Sequence, residues 1–142
     1  MINQHIKGSP KAQPRPRFNR NTMRVYNPNT ADDWKRSIRF TLNQFKNMNL
    51  EGSFSVSLHF YFQRPKSHFG SGVKTKNILK DSSPKKHKAK PDLDNLAKSV
   101  LDCLTNMSFW IDDSQVTELK IRKDWNDVCA EGMHIEIKPL VE

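Results

Sequence analysis

The sequence predicts an α+β domain in which two main helices pack on a small mixed β-sheet, in the order β-α-β-α-β-β. Three observations predict this fold. Four segments alternate or concentrate apolar residues as half-buried strands do, and two others repeat apolar residues at helical spacing. The length of 142 residues suits a single domain, 1–142, with a real core. Strands that are not regularly interleaved with helices favour helices on one face of the sheet over a doubly wound parallel sheet.

The N-terminal segment, residues 1–24, is a basic arm. It contains six Lys or Arg residues and no acidic residue. A short strand is predicted at residues 2–6, and Pro10, Pro14 and Pro16 are expected to break regular structure beyond it. Two interpretations stay open, a solvated tail and an arm that lies along phosphates. In the second, the candidate DNA contacts are Lys11, Arg15, Arg17 and Arg20.

The next two elements have clear periodicity. Thr30 is expected to cap a helix that runs to about Asn47, with an apolar stripe at Trp34, Ile38, Leu42 and Phe45. Residues 52–63, "GSFSVSLHFYFQ", alternate apolar and polar side chains, which predicts a strand with one buried and one polar face.

Residues 64–90 form a long basic segment without periodicity. It holds nine Lys or Arg residues and one acid, Asp81. A loop this long inside a small domain is usually functional or disordered, so we expect a mobile basic loop. His68 and His87 are interpreted as solvated members of it. The candidate DNA contacts here are Lys74, Lys76, Lys85, Lys86, Lys88 and Lys90.

The remaining elements are a helix and two strands. Residues 92–105 carry one strong apolar stripe, which predicts a helix. A strand is predicted at 115–123, and "GMHIEIKPL" supplies the last one, with Met133, Ile135 and Ile137 pointing inward.

Composition indicates the class of partner. A formal net charge of +9 and a pI near 9.7 favour a polyanion. No run approaches the 18 apolar residues of a membrane span, and the N-terminus lacks the apolar centre of a secretory signal. We therefore expect a cytoplasmic protein with no membrane partner. Cys103 and Cys129 are expected to be thiols, since their spacing suggests neither zinc nor a disulfide framework.

An acidic cluster interrupts this basic chain. Five of the fifteen acids fall within residues 92–113, among them Asp92, Asp94, Asp112 and Asp113. Such a cluster repels phosphate unless a divalent cation lies between, and Mg²⁺ binds through one or two carboxylates together with substrate phosphate. The structural alternative is that Asp92 caps the helix and Asp94 favours its dipole and pairs with Lys98. That alternative leaves the second acidic pair unexplained.

The segments "KPDLDNLAKSVLDCL" and "FWIDDSQV" resemble the signature of RusA-type Holliday-junction resolvases, D-x-D-N-x-x-K with a downstream D-D-x-Q. The resemblance covers roughly residues 90–116. It implies that Asp92, Asp94 and Asp113 are catalytic metal ligands, that Lys98 is the catalytic lysine, and that Asp112 is a supporting acid. It also implies a homodimer that uses Mg²⁺, with Mn²⁺ as a substitute and no small-molecule cofactor, to nick four-way junction DNA in pairs; such enzymes are often prophage-borne. The basic segment before Lys90 is longer than in compact family members.

Chain geometry constrains how the site closes. The predicted helix is about 20 Å long, and residues 106–112 span roughly 24 Å when fully extended. Asp113 therefore reaches Asp92 of its own chain only along a nearly straight path, or else comes from a partner subunit. Two other functions stay open: a non-catalytic nucleic-acid binder that stacks bases on Phe18, Tyr26 and Phe69, and a metal-dependent nuclease for other branched DNA.

Overall fold

A computed structural model describes residues 1–141. Its strands and helices are β1 (Ile2–Lys7), β2 (Arg17–Asn19), β3 (Arg24–Tyr26), α1 (Asp32–Thr41), β4 (Ser53–Phe62), α2 (Leu93–Asn106), β5 (Val116–Trp125) and β6 (Gly132–Leu140). Four of the strands form a mixed sheet in the order β1-β6-β4-β5, and the two helices cover one face of it. The predicted α+β class is confirmed.

The central strands of the sheet are β6 and β4. β6 is antiparallel to both β1 and β4, whereas β4 and β5 run parallel. Parallel neighbours need a long crossover connection, and residues 63–115, including α2, provide it. The chain thus leaves β4 at Phe62, passes through the basic segment, and returns along α2 to the start of β5.

The core lies between the helices and one face of the sheet. The inward residues of β4 are all buried, and their outward neighbours are half-buried, as the alternation predicts. Trp34, Ile38 and Leu42 of the first predicted stripe are buried, and Leu96 and Leu104 of the second are buried as well. Each large side chain of this kind contributes about 1.5–3 kcal/mol by leaving water.

The first helix is shorter than predicted. It begins at Asp32 after the N-cap residue Ala31, which makes no side-chain capping bond, so the prediction of a Thr30 cap is wrong. Asp32 and Asp33 place negative charge in the first turn, where it favours the helix dipole. The α-helix ends at Thr41, and a 3₁₀ turn, Asn43–Phe45, continues the predicted stripe.

The N-terminal arm contains more structure than predicted. β1 forms as expected, but the chain after Pro16 folds into a separate two-stranded hairpin of β2 and β3. The prolines all precede this hairpin, so they do not interrupt it. None of the helices in the described chain is long and apolar enough to cross a bilayer, and Cys103 and Cys129 are free thiols, as predicted.

Candidate metal and nucleic-acid site

Asp92 lies at the N-cap position of α2 but does not cap the helix. Its backbone is extended there, and its side chain makes no capping hydrogen bond. Both carboxylate oxygens instead accept from Lys90 Nζ at 2.8 Å. The side chain of Asp92 is 43% exposed. Because the Asp92 carboxylate does not cap the helix and is accessible to solvent, it is available to bind a cation.

The surroundings of Asp92 are cationic. The pKa of Asp92 is lowered from its ordinary value, first by the hydrogen bond from Lys90, and further by the charges of Lys90, Lys123 and Arg15. The N-terminal arm runs past this end of α2, where the Gln13 amide donates to the Asn95 carbonyl at 2.9 Å. Asp92 is therefore a stable anion at the meeting point of arm, basic segment and helix.

Lys123 supports the turn that presents Asp92. Its Nζ donates to the Ala89 carbonyl at 2.7 Å and to the Pro91 carbonyl at 2.8 Å. Lys123 pairs with Phe60 in the β4–β5 register, so it occupies an inward position of β5. Sequence reasoning missed this residue, and a lysine in the inward alternation of a strand was the available signal.

The basic segment is anchored at its start and near its end. Arg64, buried on the core side, donates to both Asp127 oxygens at 2.8 and 2.9 Å and to the Pro84 carbonyl at 2.8 Å. His87 is buried and stacks on Trp125 with ring centroids 4.1 Å apart. The interpretation of His87 as solvated is wrong, because an aromatic surface near the end of β5 covers it. Burial, and next the charge of Lys123, lower the pKa of His87.

Asp94 and Lys98 lie on the exposed surface of α2. One oxygen of Asp94 accepts from the Asn95 amide at 2.9 Å. The ion pairs in the described part of the chain do not include one between Asp94 and Lys98. Further along α2, Asp102 binds Lys35 of α1 at 3.0 Å and so ties the two helices together. Asp94 and Lys98 thus remain open to a ligand, whereas Asp102 is structural.

Asp112 and Asp113 lie beyond the other end of α2. Asp112 caps the 3₁₀ turn Asp113–Gln115, accepting from the Ser114 amide, and the Gln115 side chain accepts from the Asp112 amide in return. A hydrogen bond from the Ser114 side chain, and next the one from its amide, lower the pKa of Asp112. Trp110 binds Thr105 at the carboxyl end of α2.

The separation of the two acidic pairs follows from the fold. Fourteen residues of α2 measure about 21 Å. On the sheet side, Val116 and Lys123 are seven residues apart on β5, or about 23 Å, and Lys123 contacts the turn before Asp92. One chain thus brings Asp92 and Asp94 to one helix end and holds Asp113 about 20 Å away.

The donor atoms at Asp92 and Asp94 suit Mg²⁺. They are carboxylate oxygens, and the Lys90 ammonium already places a cation between both oxygens of Asp92. Across residues 1–141, no three His, Cys, Asp or Glu side chains gather as a complete set of metal ligands. Mg²⁺ typically takes one or two carboxylates and completes its shell with waters and substrate phosphates. The two carboxylates fit that pattern.

The candidate DNA contacts are all on the surface. The exposed residues on the arm are Lys11, Arg15, Arg17 and Arg20, and those on the basic segment are Lys74, Lys76, Lys85, Lys86, Lys88 and Lys90. The last four lie within seven residues of Asp92. Lys and Arg side chains of this kind can neutralise the phosphates of a nucleic-acid backbone, and carboxylates can hold a metal ion.

Comparisons with known proteins give the family. The family model described as Endodeoxyribonuclease RusA matches residues 7–138. The uncharacterized protein YqaN of Bacillus subtilis (strain 168) is 30% identical over 125 residues, 86% of each chain. The Crossover junction endodeoxyribonuclease RusA of Escherichia coli (strain K12) is 50% identical over 32 residues, which cover 22% of this chain and 27% of that protein.

The chain therefore belongs to the RusA endodeoxyribonuclease family. This confirms the resemblance noted in residues 90–116 and extends it to most of the chain. It also confirms the prediction of a nuclease, a hydrolase of phosphodiester bonds.

Proposed function

We propose that the protein is a Mg²⁺-dependent, structure-selective endodeoxyribonuclease that resolves four-way DNA junctions by paired symmetric nicks in recombination and repair. The observation that carries the proposal is Asp92: an N-cap carboxylate without a capping bond, half-exposed, with both oxygens bound by Lys90 and with Lys123 bonded to the adjacent Pro91 carbonyl. A helix N-cap that needed only a cap would direct its oxygens to the first-turn amides. Family membership supplies the reaction class.

Asp92 and Asp94 hold the ion in this proposal, with Mn²⁺ able to replace Mg²⁺. When bound there, the ion would supply Lewis-acid polarisation of the scissile phosphate and a more acidic water molecule. Lys98 lies one turn beyond Asp94 on α2, where its charge faces the phosphate as negative charge accumulates. Lys98→Met is expected to lower single-turnover cleavage about 10²-fold, and Lys98→Arg to recover part of it.

The third carboxylate comes from a second subunit in this proposal. Because Asp113 lies at the far end of α2 in its own chain, the partner's Asp113 completes the site, with the partner's Asp112 beside it. A two-fold dimer then has two sites, each built from both chains. The same symmetry matches the two-fold symmetry of a four-way junction and directs one cut to each of two opposed strands.

The arm and the basic segment hold the DNA backbone. Each Lys or Arg that neutralises a phosphate releases a counterion, so junction binding weakens steeply with salt. Lys85→Ala together with Lys86→Ala is expected to reduce the slope of log affinity against log salt by up to about two.

A cleavage assay tests the function. A labelled four-way junction, a matched duplex and a flap substrate are offered to the wild type with Mg²⁺, with Mn²⁺ and with chelator. The expected result is symmetric nicking of the junction with either ion and none with chelator. Comparable cutting of the flap would make the protein a general branched-DNA nuclease, and tight junction binding without cleavage would contradict the proposal. Ligation of the products tests for sealable ends.

A further inference from the structure

The hairpin of β2 and β3 has one apolar and one basic face. Phe18 lies directly opposite Val25, so these two share a face. On the other face Arg17 lies opposite Tyr26, and Asn19 opposite Arg24. Phe18 is 53% exposed and Val25 70% exposed, and Met23 beside them is 73% exposed. The described chain leaves this apolar face largely uncovered.

The structure of the β2–β3 hairpin does not itself require an exposed apolar face. β2 and β3 pair with each other as a separate two-stranded sheet, and an isolated hairpin is at best marginally stable in water. The turn is held locally, with the Asn19 side chain accepting from the Asn21 and Thr22 amides at 2.9 and 3.2 Å. The turn is thus stabilised by its own hydrogen bonds, while the apolar face of the hairpin stays exposed. Such a face is expected to contact another molecule.

The positive charge of the hairpin indicates which kind of molecule binds its apolar face. Residues 1–31 contain no acid, and four arginines lie in or next to the hairpin: Arg15, Arg17, Arg20 and Arg24. A second copy of this hairpin would bring four more positive charges against them. A nucleic acid complements the charge and also offers the flat apolar surface of its bases, on which aromatic side chains stack.

The position of the hairpin relates it to the candidate active site. The Gln13 amide is bonded to the Asn95 carbonyl in the first turn of α2. Phe18 follows five residues later, so its Cα is at most about 17 Å from that of Gln13. At 3.4 Å of duplex axis per base pair, this distance corresponds to about five base pairs.

We propose that the hairpin is a base-contacting element, whose Phe18–Val25 face packs against unstacked bases at a DNA branch point within about five base pairs of the first turn of α2. Its arginines hold the phosphates on either side. The proposal rests on the proposed nuclease function and specifies what it recognises. In continuous duplex the bases are stacked and paired, so this face finds its surface only where stacking is interrupted. Insertion of apolar side chains at such steps is a known use of protein surface on DNA.

Fluorescence of a base analogue tests the proposal. Asp92→Asn protein, which is expected to bind without cutting, is mixed with four-way junctions that carry 2-aminopurine at or near the branch. Loss of stacking between bases changes the fluorescence of the analogue. We expect a change on binding to the junction and none with matched duplex. Adding Phe18→Ala should at least halve the change and weaken junction binding about 5- to 150-fold, as loss of a base-stacking aromatic side chain does. Adding Val25→Ala should lower both in the same direction by a smaller factor.

The chain offers matched controls. Phe40 on α1 is 86% exposed and Val128 is 87% exposed, and both lie outside the hairpin. Phe40→Ala and Val128→Ala should leave fluorescence and affinity unchanged. Phe18→Tyr keeps an aromatic ring and should restore most of the response. The thermal midpoint of each variant shows whether the fold is retained.

Several outcomes would overturn the inference. Phe18→Ala and Val25→Ala proteins that bind the junction and change its fluorescence like their parent would show that the hairpin does not contact bases. Loss of the dimer in these variants at unchanged fluorescence per bound protein would identify the face as a contact between copies. A fluorescence response with no junction cleavage by wild type would keep the inference and contradict the proposed function.

Discussion

At the amino end of α2, Asp92 occupies the N-cap position without a capping bond, whereas beyond the carboxyl end Asp112 caps the turn Asp113–Gln115. The hydrogen bond from Lys90, and further the charges of Lys90, Lys123 and Arg15, lower the pKa of Asp92. Asp112 owes its lowered pKa to hydrogen bonds from its own turn. Two acidic pairs that look alike in the sequence therefore differ in what binds them. The difference fits a metal site at the amino end of α2 that lacks one carboxylate, and an ordered turn beyond the carboxyl end that presents a carboxylate to a second subunit.

Substitution of Asp92 is the most direct test of the difference between the two ends of α2. Asp92→Asn should lower single-turnover junction cleavage on the order of 10³-fold, because the ion loses a charged ligand worth several kcal/mol in the transition state. Junction affinity measured without divalent ions should change little. Asp102→Asn is the matched control, since Asp102 lies on the same helix but pairs with Lys35. Equal losses in the two variants would show that helix charge, and not a ligand, was removed.

A mixed dimer tests whether the two ends meet across subunits. One subunit carries Asp92→Asn and the other Asp113→Asn, with different tags for purification. If each site combines Asp92 with the partner's Asp113, one site keeps both wild-type carboxylates and the mixture nicks one strand at about half the wild-type number of cuts. Each mutant homodimer should remain inactive. An inactive mixed dimer would place both carboxylates of a site on one chain and contradict the geometry of α2.

Local patterns predicted the parts of the site that neighbouring residues determine. The spacing from Asp92 to Lys98 and the apolar stripe of α2 are both properties of one helix, so the sequence was sufficient for them. The capping status of Asp92 was not predictable, because it depends on where Lys90 points. Lys123 was missed because its partners, Ala89 and Pro91, are more than thirty residues away.

The basic segments show the same limit. Positive charge and lack of periodicity predicted the basic arm and the basic loop, but they did not predict the contacts that hold these segments in place. His87 looked solvated among lysines, and only the arrival of Trp125 from β5 buries it. The β2–β3 hairpin was missed because strands of three residues are too short for alternation to be visible.

Lys123 tests how the amino end is held. Lys123→Met removes two charged hydrogen bonds to the turn before Asp92, so we expect a loss of about 1–3 kcal/mol in the free energy of unfolding and a fall in cleavage of about tenfold from misplaced Asp92. Lys120→Met, at an outward position of the same strand, should change both quantities little. Urea unfolding and single-turnover cleavage measure the two effects. A loss of stability with unchanged cleavage would make Lys123 structural alone.

Acidification should loosen the same end through His87. Its pKa is lowered in the fold, first by burial, so the unfolded chain binds the proton more readily. The stabilisation is full above the ordinary histidine pKa of about 6.5 and is lost as the pH falls through the lowered value. Lys123 opposes the proton, and Asp124 favours it.

The measurement is urea unfolding at pH 7.5 and 5.5. Wild type should lose more stability on acidification than His87→Phe, which keeps the stack on Trp125 but does not titrate. An equal loss in both would assign the pH dependence to other groups.

The smallest expected effect is a difference in stability between variants at the two ends of α2. Asp112→Ala removes the cap of the turn Asp113–Gln115 and should lower the free energy of unfolding. Asp92→Ala removes no cap and only a solvent-exposed pair with Lys90, which contributes little to stability. The stability of the variant should therefore stay close to that of wild type. Activity should rank the other way, with Asp92→Ala far more damaging than Asp112→Ala. If Asp92→Ala were the more destabilising change, Asp92 would contribute to the stability of α2. The absence of a capping bond would then no longer support its role as a metal ligand.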